Sequence, residues 1–427
     1  LLADLRRRRA PLAVFFANRS GRLVAAGNNL AALSLPPLER GYLEGVMYIN
    51  FWYPVGRSED ITHEKPYHAK ILRLPFVAFR DQNGQAHVLS DTCIHRGGSL
   101  SAGKIKGDCI ACPYHGWEFD GEGKCTKLPS LSGVKPPPRA KVDSYPVQEK
   151  YGIVFAFLGD LPAEERPPLY EIEEYGTPEW KTQLYELNLK AYYERSIENG
   201  MDPIHNEFVH PLQGAPMLSP EKQREPVPMT DIPYGSKFYM AFGGKKDYNT
   251  DLAKDKQGER LGAAGSWHQG PNQLVTWIDI TATNSFHQYL FEAPVDENST
   301  RIFFINMRNW MVEDKFDQRI EDVTLRIVHE DIDVLERLNP VRTPESNAKE
   351  LLVPGDYAVV RYREWLQKWE DNGWRIDLKK LREAEGDVAY AIPSPARREQ
   401  GNWVLDPVPL VPGKNAAAQA RQERQAG

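Results

Sequence analysis

Two pairs of metal-ligating side chains stand close together in the first third of the chain. They are Cys93-Ile94-His95 and, sixteen residues further on, Cys112-Pro113-Tyr114-His115. Each pair joins one thiol to one imidazole. Two thiolates on one iron and two imidazoles on the other make a [2Fe–2S] cluster, and replacing two anionic thiolates by neutral rings raises its reduction potential. Zinc is the plainer use of Cys and His, but zinc fingers group Cys with Cys and His with His, whereas each loop here mixes them. Cys109-x2-Cys112 offers an alternative Cys-rich site; Cys109 and Cys125 are expected to be spectators. Gly97-Gly98 in the first loop, with Pro113 and Gly116 in the second, lets the backbone turn sharply around a bound centre.

A second constellation follows in Asn199-Gly200-Met201-Asp202-Pro203-Ile204-His205-Asn206-Glu207-Phe208-Val209-His210. Two histidines and one carboxylate that leave coordination positions open suit a mononuclear Fe(II) that must meet both dioxygen and a substrate. Positions five apart on a regular helix differ by about 140°, so His205 and His210 share a metal only if a helix end or a π-bulge intervenes. Asp202 before Pro203 also reads as a helix start, with Asp at the N-cap and Pro at N1.

The carboxylate ligand must come from elsewhere. A long amphipathic helix is expected from about Phe316 to Leu338, and it offers Glu330, Asp331 and Asp333. Phe316, Ile320, Val323, Ile327, Val334 and Leu338 recur at three and four residues and mark a buried stripe. Asp331 falls four after Ile327 and three before Val334, inside that stripe. Asp333 lies on the far side with Asp322, Arg326 and Glu336, and Glu330 sits at the margin. A carboxylate on an apolar stripe is costly unless it is paired or holds a metal, so Asp331 is the candidate ligand and a buried ion pair is its alternative.

The elements that must position these residues fall into two groups. Strand-like sequence begins at Met47; Phe76–Phe79 and His87–Leu89 flank a hairpin turn at Asp81-Gln82-Asn83-Gly84, and Ile153–Leu158 fits a buried strand. A Pro-rich stretch at 162–168 reads as a linker. Beyond it come a helix at Tyr192–Ile197, strands at Phe238–Phe242, Leu274–Ile280, Phe286–Phe291 and Ile302–Met307, and helices at Phe316–Leu338 and Tyr357–Trp369. This order suggests an α+β fold with helices on one face of an antiparallel sheet. The expected organisation is an extension at 1–45, a compact β domain at 46–163, a second domain at 164–410, and a disordered tail at 411–427 without core residues.

Composition is ordinary for a soluble globular protein of two or three domains in 427 residues, with 41% hydrophobic and 26% charged residues. No run of 18 apolar residues is present, so no transmembrane helix is expected. A net charge of −6 gives no reason to expect nucleic-acid binding and suits docking to a basic patch on a redox partner. The four cysteines lie together in one region of a 48.6 kDa chain, which favours a metal site in a reducing compartment over a disulfide framework; the cytoplasm is the expected location. Arg6–Arg9 precede a short apolar stretch, Leu12–Ala17, readable as a surface arm or a transit-peptide remnant.

Cys-x-His-Arg-Gly-Gly followed by Cys-Pro-Tyr-His-Gly-Trp resembles the cluster motif of Rieske oxygenases, and the likeness runs from about Asn50 to Leu158. Asp202, His205 and His210 are similar to that family's Asp-x2-His-x4-His motif. Val353-Pro354 to Trp365, with Tyr362-Arg363, resembles the branch that includes chlorophyllide a oxygenase, dicamba O-demethylase and the saxitoxin-pathway oxygenases. The likeness covers most of residues 50–370; the first 45 residues have no counterpart in it. It implies an N-terminal all-β Rieske domain, then a helix-grip (START-like) catalytic domain with a large antiparallel sheet flanked by helices. It implies a [2Fe–2S] cluster on Cys93, His95, Cys112 and His115, and mononuclear Fe(II) on His205, His210 and Asp331. It further implies O2 as co-substrate, electrons from NAD(P)H through a separate reductase or ferredoxin, and a homotrimer. In that assembly Asp202 links His95 or His115 of one subunit to an iron-bound histidine of the next, and Asn199 stands near the iron.

The expected activity is that of a terminal oxygenase component. It oxidises an aromatic or cyclic small molecule by monooxygenation, either hydroxylation or N- or O-demethylation. Ring cis-dihydroxylation is the enzyme alternative, and an electron carrier without oxygenase activity is the alternative of another class. The expected substrate wall spans 211–310, with Phe238, Tyr239, Trp277, Phe286, Tyr289, Phe303 and Phe304 as candidates and core packing as the other reading for each.

Overall fold

Turn chemistry and short apolar runs set the first domain. The computed structural model describes residues 14–17, 23–26, 46–210, 224–241, 263–281, 283–344 and 349–414. In the N-terminal extension, β1 (Val14–Ala17) and β2 (Leu23–Ala26) pair as an antiparallel hairpin; Arg6–Arg9 lie outside the described residues. The domain itself holds β3 (Phe51–Arg57), β4 (Tyr67–Ile71), β5 (Leu74–Arg80), β6 (Ala86–Ser90), β7 (Lys104–Lys106), β8 (Cys109–Ala111) and β9 (Glu118–Asp120). It is completed by β10 (Cys125–Lys127), β11 (Ser144–Tyr145), β12 (Val147–Lys150) and β13 (Ile153–Leu158). These strands form three small sheets, ordered β12-β13-β3, β11-β6-β5-β4 and β10-β9-β8-β7. The apolar run Ile153–Leu158 is the central strand of the first sheet, buried along its whole length. The β5–β6 turn closes as its sequence predicts: the Asp81 carboxylate accepts from Asn83 N and Gln85 N at 2.9 and 2.8 Å, and Gly84 takes φ +82°.

The second domain is a seven-stranded antiparallel sheet. Its strands are β14 (Lys181–Leu189), β15 (Thr230–Ile232), β16 (Gly235–Ala241), β17 (Ala263–Gln269), β18 (Gln273–Asp279), β19 (Ser285–Asp296) and β20 (Ser299–Arg308). They are ordered β14-β20-β19-β18-β17-β16-β15. One face packs on the first domain and the linker: Trp267, Val275, Tyr289, Phe291, Phe303, Ile305 and Met307 join Trp52, Phe155 and Phe157. The other face receives α1 (Tyr193–Met201), α3 (Asp317–Leu335) and α4 (Tyr357–Asp371), with the single-turn α2 (Asn206–Val209) following α1. Alternation along each strand makes this division possible. The expected strand Phe238–Phe242 is found as β16, with Phe242 outside the described residues; β14 and β17 were not expected. The sequence of β17, Ala-Ala-Gly-Ser-Trp-His-Gln, lacks an apolar alternation because its helix-facing side chains are small or polar where α1 and α4 come close.

Helix α1, which leads directly into residues 202–210, is held by close packing and by a buried ion-pair network. A Cβ on Gly200 would stand 2.2 Å from Leu274 Cδ2, so a larger residue here would have to displace the buried Leu274 side chain of β18. Arg363 of α4 donates to both carboxylate oxygens of Glu198 on α1 at 2.6 and 2.9 Å and to Glu350 at 2.8 Å. Arg195 joins the same network through Glu350. The Arg363 and Glu198 side chains are 2% and 7% exposed. Burial disfavours the guanidinium charge, but the two carboxylates outweigh it and raise its pKa. Removing one member of such a set leaves an uncompensated buried charge, which costs about 3–5 kcal/mol. Arg363→Leu is therefore expected to lower the unfolding free energy by roughly that amount, measured by urea denaturation; a change within 0.5 kcal/mol or so would contradict this role.

Helix α4 leads into a C-terminal segment for which the sequence predicted no separate elements. It carries α5 (Leu378–Glu383), β21 (Tyr390–Ala391), α6 (Ala396–Glu399) and β22 (Asp406–Pro407). This segment returns to the first domain, where Tyr145 donates to the Ile392 carbonyl at 2.8 Å. Of the expected tail, Val411 N donates to the Arg375 carbonyl and Lys414 reaches Asp371; residues 415–427 lie outside the described residues.

Candidate metal centres

Two loops of matched geometry face each other at the tip of the first domain, one after β6 and one between β8 and β9. In the first, Gly97 N donates to the Cys93 carbonyl and Cys93 N to the Gly98 carbonyl; in the second, Gly116 N donates to Cys112 and Cys112 N to Trp117. Gly97 and Gly116 occupy the same place in the two turns, at φ +69° and +71°, a conformation that costs other residues energy. The turns direct cysteines inward and histidines outward. Cys93 and Cys112 are buried, while His95 and His115 are exposed with ring centroids 4.4 Å apart. Trp117 stacks on His95 at 4.5 Å and Tyr114 on His115 at 4.0 Å, fixing both rings. Burial, and then the neighbouring Cys112 thiol, push the Cys93 thiol up to about 12, against a lowering hydrogen bond from the His95 backbone. Two adjacent buried thiols, Cys93 and Cys112, below two paired imidazoles fit a thiolate-and-imidazole [2Fe–2S] cluster. Cys109 turns instead to the Thr126 hydroxyl at 3.5 Å, and Cys125 to the Lys127 carbonyl.

The second centre forms where α1 stops. His205 and His210 flank α2 as its N-cap and C-cap, and their ring centroids are 5.3 Å apart. A broken helix, rather than a π-bulge, overcomes the unfavourable five-residue spacing. Asp202 corrects another expectation. It is the C-cap of α1, in extended conformation, and its carboxylate accepts from Ile204 N at 2.7 Å. Pro203 lies in the turn after it, so Asp202 and Pro203 start no helix; the local Asx hydrogen bond wins over capping.

Asp331 of α3 meets both histidines. Its Oδ1 lies 3.6 Å from His205 Nε2 and 3.2 Å from His210 Nε2, and the ligand atoms of all three residues lie within 4.8 Å of one another. Donors bound at right angles to one first-row metal ion at about 2.1 Å stand about 3 Å apart, so the three residues fit a shared metal. Both Nδ1 atoms are occupied from behind, by the Asp202 carbonyl at 2.6 Å and the Glu330 carboxylate at 3.0 Å. Such partners hold the proton on Nδ1 and leave Nε2 free for a metal. Asn199 Nδ2 donates to Asp331 Oδ1 at 3.0 Å. Burial lowers the pKa of His210, but Asp331 and Glu330 outweigh it and the net shift is upward. At Asp202 burial dominates and raises the carboxyl pKa, opposed by His205 and the Ile204 N–H.

Helix phase selected Asp331 for a reason the structure modifies. The buried residues of α3 are Ile320, Thr324 and Leu335, and Val334 is 42% exposed. The inner face thus runs 320-324-331-335, and Asp331 lies on it although the stripe is rotated from the expected one. Asp333 is exposed and pairs loosely with Arg337. Glu330, placed at the margin by sequence, was missed as a partner of His210. Loss of such an outer partner typically costs 10–100-fold in metal affinity. Glu330→Gln is expected to weaken iron binding by about that factor, read by chelator competition; unchanged affinity would exclude the role.

The expected substrate wall divides in two. Phe238, Phe286 and Phe304 face the helices, among Ile197, Ile320 and Leu335 respectively. Trp277, Tyr289 and Phe303 point to the opposite face and belong to the core shared with the first domain. Tyr239 is 50% exposed and donates to Asp279. Residues 211–223 and 242–262 of that wall lie outside the described residues.

Comparison with known proteins gives the frame for these centres. The model of the Rieske [2Fe–2S] domain matches residues 51–146, and that of the vanillate O-demethylase oxygenase C-terminal domain matches 265–372. The chain is 30% identical over 272 residues to 4beta-methylsterol monooxygenase of Methylococcus capsulatus, covering 60% of this chain and 67% of that protein. It is 27% identical over 362 residues to the oxygenase component of 3-ketosteroid-9-alpha-monooxygenase of Rhodococcus rhodochrous, covering 80% and 87%. Against chlorophyllide a oxygenase of Chlamydomonas reinhardtii the identity is 29%, and the chain spans 50% of that protein's length. Solved structures share the fold. Dicamba monooxygenase with 3,6-dichlorosalicylic acid has a TM-score of 0.65 at 22% identity, covering 76% of this chain and 98% of that one. NdmA of Pseudomonas putida CBB5 with caffeine has a TM-score of 0.64 at 23% identity, covering 76% and 91%. The all-β domain and the seven-stranded domain behind it are therefore those of one known lineage, and the chain belongs to the Rieske non-heme iron oxygenases.

Proposed function

We propose that this chain is a terminal oxygenase component that monooxygenates an aromatic or cyclic small molecule, by hydroxylation or by N- or O-demethylation. Residues 46–163 serve as the electron-carrying domain and 164–410 as the catalytic domain. The observation that carries the reading is the meeting of His205, His210 and Asp331 within 4.8 Å behind a Rieske domain, since a pure electron carrier has no use for a second donor set. When bound, the cluster supplies single electrons and the mononuclear iron the place where dioxygen is reduced, one oxygen atom entering the substrate and the other leaving as water. Cys93 and Cys112, both buried, and His95 and His115, both exposed, would hold the cluster. Asp202 bridges a cluster histidine of one subunit to His205 of the next in a homotrimer. Its carbonyl already holds His205 Nδ1, and its half-buried carboxylate is costly without a further partner. Asn199 and Glu330 orient Asp331 and His210. NAD(P)H feeds the chain through a separate reductase or ferredoxin. Oxygen uptake driven by a reductase, screened over methylated and unmethylated cyclic compounds with mass spectrometry of products, tests the reading. Substrate-dependent uptake with an added oxygen atom or a lost methyl group is expected, and a cis-diol product would replace monooxygenation by dihydroxylation.

A further inference from the structure

The chain beyond residue 372 lies outside both matched segments, yet it is fastened to the cluster domain. Asp143, fully buried, accepts from Ser394 N, Ser394 Oγ, Arg397 Nε and Arg397 Nη2 at 2.7–3.1 Å. Lys141 donates to Gln400 and to the Gly401 carbonyl, and lies 4.2 Å over the Trp403 ring. A carboxylate with four donors in a buried place is a firm anchor. The strap so anchored runs beside the first cluster loop and leaves an open groove of about 350 Å³. Cys93, Ile94 and Gly97 form one side of it; Val388 and Leu405 of the strap form the other. Asp387 and Asp406 also line it, both exposed, and among the described residues neither carboxylate has a hydrogen bond or ion pair.

The cluster therefore has two approaches of opposite character. At the histidine tip, His95 and His115 are flanked by Arg96, which lies 5.3 Å over the Tyr114 ring. At the groove, a cysteine-bearing loop is reached past a mixed lining, with Val388 and Leu405 beside two carboxylates that are unpaired among the described residues. We propose that this groove is the docking site of the electron-donor protein, whose contact face carries basic residues around an apolar protrusion. Resting on the oxygenase reading above, this gives the cluster an entrance on its cysteine side and an exit on its histidine side. One electron leaves the donor and reduces the cluster by one; no bond is made or broken. An apolar centre with a charged rim is the usual build of a transient interface, and the rim charges act chiefly on the rate of encounter.

The test uses the full-length protein and ferricytochrome c, a basic one-electron haem protein, as probe. The dithionite-reduced protein is mixed with it in a stopped-flow instrument at low and high salt. The wild-type rate is expected to fall steeply with salt. Asp387→Lys combined with Asp406→Lys is expected to lower the low-salt rate about tenfold or more and to flatten the salt dependence. The cluster's electron paramagnetic resonance signal, its reduction by dithionite and the size-exclusion volume should not change. An unchanged rate overturns the proposal. So does a rate insensitive to the groove variant but raised by Arg96→Glu, which would place entry at the histidine tip. A shifted size-exclusion volume would make a second copy of this chain the occupant and overturn it as well. Absence of the cluster signal from the wild-type protein would instead sink the reading on which the proposal rests.

Discussion

His205→Ala is expected to remove about one iron atom per chain, to leave the visible absorption of the cluster intact, and to abolish substrate-dependent oxygen consumption. The separation follows from the fold. His205 caps a single-turn helix of the second domain, whereas Cys93, His95, Cys112 and His115 sit on loops of the first. With His205 gone, His210 and Asp331 remain, and two donors hold a divalent ion far more weakly than three. The effect should exceed that of Glu330→Gln, which removes a support behind a ligand and not a ligand itself. Iron analysis and spectroscopy of the same sample decide the matter. Retention of the third iron would show that the metal is bound elsewhere; loss of cluster absorption would show that the two centres do not fold independently.

Asp202→Asn is expected to keep all the iron and stop most of the electron flow. Asparagine can still accept from Ile204 N, so the turn that presents His205 survives. What is lost is the negative charge on a half-buried group. A charge-assisted hydrogen bond contributes about 1.5–3 kcal/mol, so the rate of substrate-dependent cluster reoxidation by oxygen is expected to fall about 10- to 100-fold. Reduction by dithionite should be unaffected, because it bypasses the bridge. Stopped-flow reoxidation of the reduced protein distinguishes the cases, and a wild-type rate in the variant would remove Asp202 from the electron path.

Sequence alone led to residues that the structure brings together, because metal chemistry constrains residue type and spacing directly. The paired Cys and His of the cluster loops needed no tertiary information, and helix phase reached Asp331 because a carboxylate on an inward face demands an explanation. Phase was less able to fix the stripe: Val334 points outward since Thr324, a polar residue hidden from any apolar count, lies on the inner face and accepts from Asn306 at 3.2 Å. Glu330 escaped notice because its role depends on His210 arriving from a distant turn. The strands β14 and β17 were not recognised for an opposite reason. β14 mixes polar with apolar residues as the edge strand of its sheet, and β17 carries small residues under helices. The C-terminal strap, anchored by Asp143 and Arg397 and by a few scattered apolar side chains such as Ile392 and Val408, carries only a weak periodic signature.

The central claim is that one chain carries both an electron-transfer cluster and a separate oxygen-activating iron. Iron and acid-labile sulfide analysis of the anaerobically purified protein tests it most directly. About three iron atoms and about two sulfides per chain are expected. Two iron atoms with two sulfides, unchanged after incubation with excess ferrous iron, would leave only an electron carrier and contradict the account.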